Sequence, residues 1–295
     1  MVATLAALLA LLAGPGGAAP LLDWGQDPMS QVRSEIPSLE LGAASASAID
    51  IPAEDVQRIG RLIWLNECGG TVSGLTSWNQ GEEFASLGIG HFIWYPAGPH
   101  GPFDESFPRL LALLSGSGVP LPSWLSGLSD CPWRDRESFL KDIDSPRMRE
   151  LRDLLTATVG LQARFAVDRL EAALPRILDT LPVAERGSVT RQFYRVARSS
   201  LGAYALVDYV NFKGEGVLAS ERYAGLGWGL LQVLQGMSGS EPGPAALDEF
   251  SLTADRVLTR RVLNSPPERR EERWLPAWRS RVRTSREGPL ALENR

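Results

Sequence analysis

The feature that most constrains the fold of this chain is an apolar helical pattern that ends in an acid and precedes a glycine-punctuated segment. The apolar face of the pattern carries Val56, Ile59 and Ile63. Pro52 followed by acidic residues is typical of a helix start, and Cys68-Gly69-Gly70 is typical of a helix stop. Glu67 lies at that stop, and nineteen residues later the chain reads Ser86-Leu87-Gly88-Ile89-Gly90-His91. The sequence therefore predicts a helix followed by a strand, a turn and a second strand.

Helical periodicity dominates the chain beyond this hairpin. The second strand is expected over residues 84–94, and the prolines and glycines of residues 96–102 end it. No alternating strand pattern of any length follows. Helices are predicted at 106–114, 136–142, 146–157, 161–174 (continuing past Pro175) and 183–200. The expected fold class is α+β, mainly α.

Length and charge exclude some classes of function. The chain has 295 residues, 44% of them hydrophobic and 22% charged, which is typical of a globular protein with one large domain or two modest ones. The net charge of −5 argues against a general nucleic-acid binder. We expect no nucleic-acid partner and a monomeric protein.

The N-terminal residues resemble an export signal. Residues 2–13 are almost wholly apolar and are followed by small residues and prolines up to Pro20, which predicts a signal peptide over 1–19 and a periplasmic or secreted protein. The run is shorter than the ~20 residues that a membrane span needs. No Lys or Arg precedes it, so an Ala/Leu-rich tail without a targeting role is the alternative. Residues 20–49 are expected to be a linker, and 50–295 the domain.

The cysteines leave two interpretations open, and no metal or cofactor is expected. In an oxidising compartment Cys68 and Cys131 can form a disulfide, or each can be a buried free thiol. With His91 and His100 they lack the close paired spacing of a zinc site.

Three segments of the chain resemble the phage-type lysozymes. In that family a glutamate closes the first helix and a hairpin follows that carries a Thr-x-Gly-x-Gly-His strand, as Glu67 and Ser86 to His91 do here. Residues 205–216 resemble the helix that crosses the helical lobe of these enzymes. Trp278 and the run Arg281-Val282-Arg283, with Arg256, Arg260 and Arg261, resemble their closing arginine-rich segment. The resemblance implies a β-hairpin lobe (50–130) and a larger helical lobe (131–286) flanking a cleft, with a tail over 287–295.

The resemblance also implies cleavage of an amino-sugar polymer, in particular peptidoglycan. Such cleavage needs a carboxylic acid that stays protonated until it protonates the leaving oxygen. Glu67 is the candidate, because the end of an apolar helix near Trp64 disfavours the charged form through desolvation and the helix dipole.

The family also has a second acidic position, in the turn of the hairpin. Counting along the family pattern leads to Gln80, which is not an acid. Glu82 shares strand parity with Ser86 and is the better substitute, with Glu83 or no second acid as alternatives. Ser86 stands at the threonine position of the family, and its hydroxyl can hold a water or a substrate group.

The remaining candidate residues concern substrate binding and structure. Trp78, Trp94 and Tyr95 can stack on sugar rings, with core packing as the alternative for each. Asn79 and Asn211 are candidate polar contacts to the sugar. We expect structural roles for Gly88, Gly90 and His91.

Three other functions stay open. A lytic transglycosylase on the same fold needs only one acid. A non-catalytic wall-binding protein would keep the cleft without the chemistry. A cysteine hydrolase would use Cys68 as nucleophile and His91 as base.

Overall fold

The computed structural model describes residues 49–98, 100–101 and 103–287. The expected signal peptide, nearly all of the linker and all but the first residue of the tail lie outside these ranges. The described residues form two compact units, one of residues 71–159 and one that joins 49–70 to 160–287. We call the first the sheet unit and the second the helical unit.

The sheet unit contains a three-stranded antiparallel sheet and three helices. The strands are β1 (Thr76–Ser77), β2 (Ala85–Leu87) and β3 (Phe92–Trp94), in the order β1-β2-β3. The helices are α2 (Phe107–Gly116), α3 (Arg136–Lys141) and α4 (Pro146–Ala157). In the sheet Ser86 lies opposite both Ser77 and Ile93. A core of aromatic rings includes Trp94 against Phe107, with centroids 4.9 Å apart.

The prediction of one continuous strand over residues 84–94 is wrong. The chain turns between β2 and β3 at the glycine-punctuated motif, because Gly88 and His91 both adopt left-handed backbone angles, with φ of 74° and 48°. The Gly88 amide donates to the carbonyl of Leu75 at 2.8 Å and fixes the start of this turn. Residues 88–91 of the motif therefore form a tight turn, while Ser86 and Leu87 lie in β2.

The helical unit is built from α1 (Ala53–Cys68) and the helices that follow residue 159. These are α5 (Val159–Asp179, whose first residue is counted in the sheet unit), α6 (Val183–Ala197), α7 (Ser200–Lys213), α8 (Leu230–Gln235), α9 (Pro244–Asn264) and α10 (Leu275–Glu287). A short antiparallel ribbon, β4 (Arg222–Tyr223) with β5 (Leu226–Gly227), lies between α7 and α8.

Helix α7 lies at the centre of the helical unit. Residues 202–209 are all buried, and the helix contacts α1, α6, α8, α9 and α10. A helix with apolar residues spread around most of its circumference needs such an enclosed position. Asp208 and Lys213 are buried charged residues in this helix.

The expected fold class is confirmed at its coarse level, since the structure is mainly helical with a small antiparallel sheet. Within the described ranges, none of the helices combines the length and the apolar character that crossing a membrane would require.

Candidate functional site

Glu67 lies in the last turn of α1, and its side chain is buried. Gly69, with a φ of 62°, ends the helix one residue after Cys68. Glu67 is 6% exposed. Its carboxylate accepts a hydrogen bond from Nη2 of Arg281, on α10. The predicted acid is therefore held inside the helical unit by a cation from the C-terminal helix.

Arg281 also binds Asp208, a buried residue of α7. Its Nε donates to both Asp208 oxygens at 3.1 and 3.2 Å, and its Nη2 donates to Oδ1 at 2.8 Å. Asn66, which precedes Glu67, donates to Asp208 at 3.0 Å and to the Tyr204 hydroxyl at 2.6 Å. One guanidinium thus joins α1, α7 and α10 and is shared by two carboxylates; we call Glu67, Asp208 and Arg281 the acid–arginine cluster.

The two carboxylates of this cluster stabilise the positive charge of Arg281. Burial alone would lower the pKa of the guanidinium, but the neighbouring carboxylates of Asp208 and Glu67 raise it above its usual value. Arg281 therefore stays a cation at any working pH.

A buried lysine lies beside this cluster. The Nζ atom of Lys213 is 3.4 Å from the ring centre of Trp278 and 3.9 Å from that of Phe212, and Arg281 lies over the same Phe212 ring at 4.6 Å. Among the described residues Nζ has no hydrogen-bond acceptor. Burial, and then the charge of Arg261, lower the pKa of Lys213 well below its usual value. Two ring contacts contribute about 2 kcal/mol or less each, whereas an unpaired buried ammonium loses several kcal/mol of solvation, so the neutral amine is favoured.

Replacing Lys213 by Met is expected to stabilise the protein by about 1–3 kcal/mol at neutral pH, because a thioether of similar length leaves no polar group unsatisfied. The folded pKa of Lys213 lies below the unfolded value of about 10.4, so the unfolded chain binds more protons and stability rises with pH up to that value. The advantage of the variant should therefore shrink as pH approaches 10. Urea unfolding between pH 6 and 10 measures both effects.

The matched control is Lys141→Met, because Lys141 is the other lysine of the chain and lies exposed on α3. Its effect should stay within about 0.5 kcal/mol. If Lys213→Met instead destabilises the protein by as much as the truncation of a core side chain, the Lys213 amine is not both neutral and without a hydrogen-bond acceptor.

Three predicted site residues meet in the turn between β1 and β2. The Trp78 indole donates to the Glu82 carbonyl at 2.8 Å, and the Asn79 amide donates to the Glu82 carboxylate at 3.1 Å. Burial raises the pKa of Glu82, and the hydrogen bonds from Asn79 offset part of this rise. The Trp78 ring is buried against Phe139. The turn therefore holds Glu82 in a defined place, with a bias toward its protonated form.

Ser86, at the centre of β2, is 1% exposed, and its hydroxyl has no hydrogen-bond partner within the described part of the chain. Such a buried hydroxyl without a partner is unusual and is a candidate polar contact for a ligand.

The structural roles of the glycines fit their geometry. Gly88 needs its positive φ, and a Cβ on Gly90 would lie 2.9 Å from the Phe92 ring. His91 is a half-buried residue of the same turn.

The sugar-stacking interpretation of Trp94 and Tyr95 finds no support in their burial. They are 0% and 1% exposed, and Trp94 donates its indole N–H to the Ser129 carbonyl at 3.0 Å. Tyr95 packs on Phe84, with centroids 5.3 Å apart. These rings form core, which the sequence left as their alternative. Asn211 lies partly exposed on α7.

Cys68 and Cys131 are both buried thiols. Burial, and then the charge of Glu67, raise the pKa of Cys68, and burial raises the pKa of Cys131 to about 12. A buried thiol that resists ionisation is a poor nucleophile, so the cysteine-hydrolase interpretation is disfavoured.

The sequence patterns predicted no individual role for Asp208, Arg281 or Tyr204. The sequence does contain an indication for Asp208. It is an acid inside an otherwise apolar helical segment, and a buried acid needs a polar or charged partner. The local sequence pattern does not identify that partner.

The predicted site residues are divided between the units. Glu67 and Asn211 belong to the helical unit, and Trp78, Asn79, Glu82 and Ser86 belong to the sheet unit.

The described residues contain no group of three or more His, Cys, Asp or Glu side chains arranged to hold a metal ion. Compared with known proteins, the chain matches no family model, and no curated protein or solved structure is significantly similar to it.

Proposed function

We propose that this protein cleaves glycosidic bonds of peptidoglycan, with Glu67 as the general acid on a lysozyme-like fold. The observation that supports this best is the acid–arginine cluster. Glu67, Asp208 and Arg281 come from the three separate segments whose sequences resemble the phage-type lysozymes. Three segments that share this resemblance therefore contribute to one hydrogen-bonded cluster.

Glu67 is a buried acid in the last turn of α1. It pairs with Arg281, and Arg281 also pairs with Asp208. Glu67 would give its proton to the leaving oxygen as the glycosidic bond breaks.

The signal peptide expected over residues 1–19 belongs to this proposal, because peptidoglycan lies outside the cytoplasmic membrane. A wall-binding protein without activity is the competing function, since a buried acid–arginine cluster can also serve only to hold helices together.

The test is mass spectrometry of the products released from purified peptidoglycan by the full chain. Products with reducing ends would support a hydrolase, and anhydro-sugar ends would support the transglycosylase variant. Wall binding without any product, at protein concentrations where a known muramidase digests the polymer, would overturn the proposed activity.

Glu82 is the proposed second carboxylate. Glu82→Gln should slow hydrolysis about tenfold, below the usual range for a general base because burial favours the protonated form of Glu82. Rates on soluble peptidoglycan fragments measure this effect. Glu137→Gln, which changes an exposed glutamate of α3 paired with Lys141, is the control and should keep full activity. If Glu83→Gln rather than Glu82→Gln slows the enzyme, the second acid is Glu83. Full activity in both would favour the transglycosylase.

A further inference from the structure

We propose that a groove of the helical unit binds an extended ligand that carries two or more phosphate groups. The groove shares no residue with the acid–arginine cluster, and the inference does not depend on the proposed function. It has a volume of about 970 Å³ and is lined by α6 and by the loop that joins α8 to α9. Cavities of this size are typical of binding sites for small molecules. The lining combines guanidinium and hydroxyl groups: Arg191, Arg195, Arg198, Ser188, Ser238 and Ser240.

The arginines of this groove follow one line along α6. Ser188, Arg191, Arg195 and Arg198 succeed each other at steps of three and four residues, which places them on one face of the helix. Arg191 and Arg198 are exposed, and neither has a hydrogen-bond or ion-pair partner among the described residues. Seven residues of helix span about 10 Å. The groove therefore offers two unpaired guanidinium groups at separate points along its length.

The third arginine, Arg195, holds the two sides of the groove together. It is 8% exposed, and its guanidinium donates to the Glu249 carboxylate, to the Gly239 carbonyl and, at 2.6 Å, to the side-chain oxygen of Gln192. Glu249 also accepts from the Ser238 amide at 2.7 Å. The loop is thus fixed against α6 by a buried ion pair. Nε of Arg195 has no acceptor among the described residues, so this wall of the groove keeps one unsatisfied donor.

Charge and hydrogen-bonding capacity indicate the class of ligand. Glu249 compensates the charge of Arg195, and Asp50 is the one acid among the described lining residues. Arg191 and Arg198 therefore make the groove positive, although the whole chain has a net charge of −5. One guanidinium satisfies both oxygens of a carboxylate, whereas a phosphate has further oxygens that accept from hydroxyl groups. Arginines beside serine hydroxyls thus fit phosphate, and a ligand that engages both exposed arginines must carry phosphate at more than one point.

Isothermal titration calorimetry of the full chain with inorganic phosphate and with tripolyphosphate, at one pH and ionic strength, tests this site. Tripolyphosphate should bind at least about tenfold more tightly, because it can engage both exposed arginines. Arg191→Gln and Arg198→Gln should each weaken its binding about tenfold. Arg283→Gln is the control, since Arg283 is an exposed arginine of α10 outside the groove, and it should leave the affinity unchanged. Equal affinities for the two probes, or as large a loss in the control, would overturn the proposal.

Long-chain polyphosphate distinguishes two sources of such groups, a small oligophosphate and a phosphate-bearing polymer. Tighter binding than tripolyphosphate, counted per three phosphates, indicates a polymer, and equal binding indicates a small molecule; both results support the site.

Amide NMR of the wild-type chain gives a readout that needs no variant. Tripolyphosphate should shift the amide signals of Ser238 and Gly239, which lie in the loop that lines the groove. Shifts centred on Glu67 and Asp208 would place the anion at the acid–arginine cluster and contradict the proposed site. Neither measurement involves peptidoglycan, so the failure of this proposal and the failure of the proposed function are separate results.

Discussion

Replacing Glu67 by Gln should slow peptidoglycan cleavage by at least about a hundredfold, the usual contribution of a general acid. The glutamine has the same size but carries no acidic proton. Stability should be unchanged or slightly increased. Arg281 keeps its hydrogen bonds to Asp208, and the variant removes the surplus negative charge from a site where two carboxylates share one cation. Loss of rate without loss of stability is the pattern expected of a catalytic group.

The measurement is the initial rate of release of soluble fragments, with thermal unfolding of the same samples. Glu54→Gln is the control, because Glu54 lies exposed in the first turn of the same helix. It should keep wild-type activity. A Glu67→Gln variant that retains activity within a factor of a few would sink the lysozyme-type mechanism. A variant that loses activity and unfolds early would instead point to a structural role for the pair.

Local signals in the sequence predicted much of the secondary structure. The helix over residues 146–157 is confirmed with the predicted bounds, because Pro146 at its first position and the Ser145 side chain, which accepts from the Met148 amide, fix its start. The helix predicted over 161–174 continues through Pro175 to Asp179, as expected. These features depend on residues within a few positions of each other.

Contacts between residues far apart in the chain could not be predicted from local sequence patterns. Glu67 and Arg281 are 214 residues apart, so no periodicity could pair them. The turn at Gly88 depends on a hydrogen bond from its amide to the Leu75 carbonyl. Because this bond joins residues thirteen positions apart, the local pattern predicted a strand at this point. The burial of Trp94 depends on its contact with Phe107. Sequence patterns thus predicted the helix that carries Glu67, while tertiary contacts decide the partners of its side chain.

The largest loss of stability is expected from Glu271→Gln. Glu271 and Arg261 form a buried pair, with Nε–Oε2 and Nη2–Oε1 distances of 2.7 and 2.8 Å, and the Tyr223 hydroxyl also donates to Glu271 at 2.8 Å. Arg261 lies over the Trp228 ring and cannot reach solvent without disrupting this packing. Removing the negative charge leaves a buried guanidinium uncompensated. We expect a loss of about 3 kcal/mol, the lower end for breaking a buried pair, because glutamine still accepts a hydrogen bond.

Urea unfolding of the variant beside Asp255→Asn tests this expectation. The exposed Asp255–Arg279 pair should contribute about 1 kcal/mol or less. Burial by itself raises the pKa of Glu271, but the hydrogen bonds and charge of Arg261 hold it below its usual value. The folded pKa is therefore lower than the unfolded value of about 4.3, and the contribution of the pair is complete above that value and lost as pH falls through the folded pKa. The gap between wild type and Glu271→Gln should close at acid pH.

A double variant separates charge from packing. Arg261→Met with Glu271→Leu removes both charges and keeps apolar volume, so it should recover most of the stability that Glu271→Gln loses. If the double variant is as unstable as Glu271→Gln, the pair contributes through its specific hydrogen bonds rather than by avoiding an uncompensated charge. If Glu271→Gln itself unfolds like the wild type, Arg261 must reach another acceptor or solvent, and its buried position would be wrong.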